Sequence, residues 1–161
     1  ISGTRGVSHP PFSCIIKESK EHTMATRSRI GIELKDGSIL SAYHHWDGYP
    51  TWLGRILTTH YNTREQAADL IDGGDMSSCW TDTVWGKDRT DGKKYGPETY
   101  AARGENCPPR LDDLFEYLDK KNNEEYAYIW TVNDKWVCMN MNQFNDNNPE
   151  KVEIPSGALA A

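Results

Sequence analysis

Residues 30–34 and 38–43 alternate apolar and polar side chains on either side of Asp36-Gly37. Alternation is the period of a half-buried strand, and Asp-Gly supplies the positive φ of a tight turn, so this stretch predicts a β-hairpin. A two-residue loop pairs Leu34 with Ile39, Ile32 with Ser41 and Ile30 with Tyr43, and makes theirs the core face. Arg29, Glu33 and His44 then point the other way, and His45 returns to the side of Tyr43 at the strand's end. A second pair of runs, 126–132 and 135–141, brackets Asn133-Asp134 in the same manner. Its expected core face carries Tyr128, Trp130, Val132, Val137 and Met139. Ile129, Trp136 and Cys138 make the other face apolar enough to be covered too.

Helical spacing fills the space between the hairpins. Trp52, Leu53, Ile56, Leu57, His60 and Tyr61 form one stripe after Pro50, which pre-sets a first helical turn. Thr63-Arg64-Glu65-Gln66 reads as a capping box for a second helix with Ala67, Leu70 and Ile71 inside, closed by Gly73-Gly74. Leu111, Leu114, Phe115 and Leu118 predict a third, with Asp112 and Asp113 in its first turn, where the helix dipole favours acids. Cys79-Trp80 to Val84-Trp85 suggests a strand. Residues 86–109 show no periodicity, and so long a connection in a compact domain predicts a lid or binding loop. The expected architecture is α+β: one domain, an antiparallel sheet built from two hairpins, and about three helices packed on one face.

Bulk properties narrow the function. The chain has 161 residues and a net charge of −6, carried entirely by residues 104–161. An acidic chain without a basic stripe is a poor partner for duplex nucleic acid. No apolar run reaches the roughly 18 residues of a membrane span. Cys14, Cys79, Cys107 and Cys138 form no Cys-x-x-Cys pair, which argues against a zinc ribbon and predicts reduced, partly buried thiols in the cytoplasm. Residues 1–23 lack periodicity, and Met24 follows codons that could encode a ribosome-binding site. They are therefore expected to be a non-native or flexible leader, with the domain spanning 24–142 and a loose tail spanning 143–161.

His44-His45-Trp46-Asp47-Gly48-Tyr49-Pro50 is the densest chemistry in the chain. It lies at a strand-to-helix turn, where rigid flanks hold a loop in place. Asp47 could cap the helix while the rings pack. Alternatively, His45 and Asp47 bind a polar group on which Trp46 or Tyr49 stacks. A metal is disfavoured, because adjacent histidines on a strand point to opposite sides. Arg103 offers a planar fork for a phosphate or carboxylate, with Glu105 as its partner in the free state. Tyr95, Tyr100 and Arg103 would sit on the lid. Cys107 as a nucleophile would need His45 as its base. No catalytic signature, cofactor motif or metal-ligand spacing accompanies these residues.

The strings Ser28-Arg29-Ile30-Gly31-Ile32, Asp36-Gly37-Ser38-Ile39, His45-Trp46-Asp47-Gly48-Tyr49-Pro50 with Gly54, Gly73-Gly74-Asp75-Met76-Ser77 and Arg103-Gly104-Glu105-Asn106-Cys107-Pro108-Pro109-Arg110 resemble a family of small phage-encoded proteins. The resemblance spans residues 24–141. The family has no established activity. It implies a bacteriophage or environmental source and a place of action in the host cytoplasm, but no reaction. Two functions follow as expectations. The first is a phage accessory protein that binds a host protein without chemistry of its own. The second is a small-ligand, nucleotide-like binder or weak hydrolase with its pocket at the 45–50 turn, using His45, Trp46, Asp47, Tyr49, Arg103 and Glu105.

Overall fold

The computed structural model describes residues 25–119, 123–141 and 149–157. Two antiparallel hairpins stand at its centre: β1 (Ser28–Glu33) with β2 (Ile39–His44), and β8 (Tyr126–Trp130) with β9 (Trp136–Asn140). They join edge to edge through a parallel pairing of β1 with β8. Around them lie β3 (Met76–Thr81), β6 (Gly96–Thr99), β7 (Arg110–Asp112) and β10 (Glu150–Val152). The eight-stranded order is β10-β9-β8-β1-β2-β3-β6, with β7 also on β2. Because β1 runs parallel to β8 and β2 to β3, the sheet is mixed, where hairpins alone had predicted an antiparallel one. β4 (Thr83–Val84) and β5 (Lys87–Asp88) form a separate ribbon.

Both hairpins are one residue out of the expected register, for the same reason. Leu34 N–H bonds Ser38 O and Thr131 N–H bonds Lys135 O, so each loop holds three residues. The third is left-handed in each: Gly37 at φ 89° and Asp134 at φ 60°. A three-residue loop ending in a left-handed residue is the next most favoured hairpin after the two-residue one. The slip sends every side chain to the opposite partner. Ile30 therefore pairs with Ala42 and Arg29 with Tyr43. In the second hairpin Trp130 pairs with Trp136 and Ile129 with Val137.

One face, with Ile30, Ile32, Ala42, Tyr128, Trp130, Trp136 and Cys138, packs against α1 (Arg55–His60) and α2 (Arg64–Asp72). Pro50–Gly54 forms a π-helical turn leading into α1. Thr63 caps α2 by accepting Gln66 N–H at 3.1 Å, as its sequence predicts. The opposite face buries Ile39, Ala127, Ile129 and Met141 against Tyr117 of α3 (Leu114–Tyr117). Helices thus lie on both faces, and α3 is a single turn. Arg110–Asp112 is drawn into strand pairing with β2, leaving Leu111, Leu114 and Phe115 exposed instead of in the core. Within the expected loose tail, Glu150–Val152 forms β10 on the β9 edge, and Ile154 packs against the main core. The leader 1–23, residue 142 and the tail positions 143–148 and 158–161 lie outside the described residues.

Candidate functional site

The 44–50 run is stitched to β3, to β8 and to the segment entering β1. His45 N–H bonds Met76 O at 3.2 Å and Trp46 N–H bonds Ser77 O at 3.0 Å, continuing the β2–β3 pairing. Gly48 N–H bonds Thr26 O at 2.9 Å, and Tyr128 donates its hydroxyl to Gly48 O at 2.7 Å. A Cβ on Gly48 would stand 2.5 Å from Ser28 Oγ and 2.7 Å from Thr26 O. Glycine is here because two backbones touch.

The two histidines go to opposite faces, as alternation requires. His44 is fully buried on the helix side. Its Nε2 accepts Cys79 N–H at 3.0 Å, so Nδ1 carries the proton, and that Nδ1–H has no partner among the described residues. Burial pushes its pKa down to about 3, with neighbouring His45 adding to the shift. His45 is also fully buried, on the other face. Its Nδ1 lies 2.7 Å from Tyr43 Oη, and Trp46 meets its ring edge-on at 4.5 Å. His45 thus points beside Tyr43 as expected, but into packed interior.

Asp47 does not cap the helix. It is exposed in the left-handed region at φ 57°, and the position before Pro50 is Tyr49, which makes no side-chain cap. Tyr49 lies beside Asp47; its hydroxyl pKa is raised, by partial burial first and by the Asp47 charge second. Arg103 and Glu105 pair at 3.1 Å, and the guanidinium lies 4.3 Å from the Trp85 ring and 4.5 Å from Tyr100. Tyr100 packs with Tyr43 and Cys107. The site residues therefore fall into three groups: His45 with Trp46, Asp47 with Tyr49, and Arg103 with Glu105. Tyr43 and Tyr100 link the first to the third. Cys107 is disulfide-bonded, while Cys79 and Cys138 are free thiols, which corrects the expectation of reduced cysteines throughout and removes Cys107 as a nucleophile.

Sequence reading missed the charged cluster on this face. Arg29, expected at the surface, is buried, with Nε donating to Ser41 Oγ at 2.9 Å. Its guanidinium reaches Asp75 at 4.0 Å and Glu124 at 3.6 Å, both of them buried. Asp75 also accepts Tyr43 N–H at 2.9 Å, and its own backbone bonds Cys107 O and Tyr100 N–H. Burial raises both carboxyl pKa values, and Arg29 opposes the rise in each. A correct register would have flagged Arg29 by placing it opposite Tyr43 on a covered face.

Among the described residues, no group of three or more potential ligands is placed to hold a metal. No helix there is long and apolar enough to cross a membrane. Two cavities lie away from the 45–50 turn: one of about 280 Å³ beside Thr58, Trp136 and Val152, and one of about 220 Å³ beside Trp80. No family model, curated protein or solved structure matches the chain.

Proposed function

We propose that this chain is a phage accessory protein that works by binding a host protein, through the surface formed by Leu111, Leu114 and Phe115. The observation that carries the reading is their exposure: 60%, 49% and 90%. Three large exposed apolar side chains lie within five residues of chain, and exposed apolar surface concentrated in one segment is what marks an interaction site, whereas scattered residues need no explanation. A two-point anchor lies beneath it. β7 pairs with β2, and Asp113 and Glu116 form a complete capping box that holds α3 in place. Asp112, Asp113, Glu116 and Asp119 alternate with these residues along the chain, Asp112 being paired with Arg110. The fitting partner is a protein with an apolar pocket rimmed by lysine or arginine, since opposite charges steer and orient such an encounter.

Binding at the 45–50 turn by a small polar ligand gains no support from the geometry. His45 is buried and engaged, and Arg103 is already satisfied by Glu105 and two rings. The phage source and the host cytoplasm rest on the sequence resemblance.

The test is Phe115→Ser. With 90% of the ring exposed, the variant is expected to melt as the parent does, within about 0.5 kcal/mol. Parent and variant are then presented to bacterial lysate, and the retained protein is purified and titrated. The reading expects one host protein whose affinity falls about thirtyfold or more in the variant, as for a central aromatic anchor. Equal affinity for the two, or no retained protein, overturns it.

A further inference from the structure

The cleft beside Trp80 lies on another part of the molecule. It is bounded by α1, α2, β3 and the segment entering β6, and encloses about 220 Å³. Its walls are rings in fixed mutual geometry. Trp80 stacks on His60 at 3.8 Å between centroids and 17° between planes, and on Tyr95 at 5.5 Å and 15°. Tyr61 meets Trp80 edge-on at 6.3 Å and is held by its hydroxyl donating to Cys79 O at 2.9 Å. The polar rim is Gln66 and Asp69, one turn apart on α2 and so on one face, with Lys93.

We propose that this cleft binds one planar nitrogen heterocycle, the base of a free nucleoside or mononucleotide. Size sets the first limit. Sites for drug-sized molecules run from about 300 to 1,000 Å³, so this one takes a single one- or two-ring system. Trp80 is already stacked on His60 and Tyr95, so a ligand ring would extend that stack at Tyr95, which is 38% exposed and lines the cleft; every base presents a π-face for such stacking. The rim then selects among flat rings. Asp69 only accepts, Lys93 only donates, and Gln66 does both, which complements a base edge carrying donors and acceptors side by side. A hydrocarbon ring would leave those groups unpaired. A simple organic cation would meet Lys93. A nucleic-acid strand is disfavoured by the net charge of −6. A single phosphate can instead lie at the Lys93 side.

The experiment uses the full chain and adenosine 5′-monophosphate, read by saturation-transfer NMR on the base protons, with ribose 5-phosphate as the control. The expected result is saturable binding with a dissociation constant of roughly 0.1–1 mM, the range open to a few weak contacts. Ribose 5-phosphate should give no response. Tyr95→Ala, which also gives up the stack on Trp80, should weaken binding about tenfold in protein that still folds, and Asp69→Ala should weaken it at least fivefold. The proposal is overturned by three results: no saturation up to about 10 mM, affinity undiminished in folded Tyr95→Ala, or equal binding of ribose 5-phosphate.

Discussion

His44 shows how one side chain can set the acid limit of a fold. Its ring is fully buried and its Nε2 is committed to Cys79 N–H. Protonation would put a second proton, and a charge, where neither has an acceptor. The folded-state pKa of about 3 lies below the usual 6.5, so the unfolded chain binds the proton first. The stability that neutral His44 permits is complete above about pH 6.5 and is lost as the pH falls towards 3. At 1.36 kcal/mol per pH unit, the loss is roughly 3 kcal/mol between pH 7 and pH 4. His44→Gln keeps an acceptor but cannot titrate. Denaturant unfolding of the two proteins at several pH values should therefore show the parent losing this much more than the variant. Parallel pH profiles would refute it. Gly48 is as confined in space as His44 is in charge. Gly48→Ala must push Ser28 or Thr26 aside, and a loss of about 1–3 kcal/mol is expected in the same unfolding assay.

At the scale of elements, periodicity located both hairpins, α1 and α2, and the Thr63 cap of α2, because each is written in local chemistry. The faces of the hairpins were not legible. Asp36-Gly37 fits a two-residue or a three-residue loop, and one residue of difference inverts the sheet. The third helix misled for a related reason. Leu111, Leu114 and Phe115 have helical spacing, but Arg110–Asp112 gains more by pairing with β2, and spacing alone carries no information about a sheet edge 70 residues away in sequence. Of the site, the strand-to-helix turn and the Arg103–Glu105 pair were readable, whereas the partners of Arg29, namely Ser41, Asp75 and Glu124, come from three separate segments. The loop assignment has its own test. Asp134 sits at φ 60°, where a Cβ is strained, while glycine is at ease there. Asp134→Gly should raise the stability by up to about 1 kcal/mol, and a drop in melting temperature would contradict a left-handed third residue.

For the molecule as a whole, Arg29 is the charge on which the second face depends. It lies between Asp75, which precedes β3, and Glu124, which precedes β8, and it is pinned to Ser41 of β2. Arg29→Met leaves two buried carboxyls with Arg110 as the remaining cation acting on them, at a cost of about 3–5 kcal/mol near neutral pH. Burial already raises both pKa values, so these groups take up protons in the folded state as the pH falls. Their neutral forms favour the fold at low pH, and that contribution is lost as the pH rises through the raised values. The variant should accordingly lie closer to the parent at pH 5 than at pH 7, by chemical denaturation. A deficit that is constant with pH would mean that the carboxyls do not sense Arg29.

The parallel seam between β1 and β8 also fixes an order of events in time. Ile30 pairs beside Tyr128, 98 positions later in the chain. A ribosome adding about 5–20 residues per second leaves roughly 5–20 seconds between the two. For that interval the nascent β1–β2 hairpin has an open edge and no neighbour of its own to close it. The segment from Tyr126 onward thus acts as the clasp of the first hairpin, and synthesis that stops before Tyr126 leaves a fragment with that edge still open.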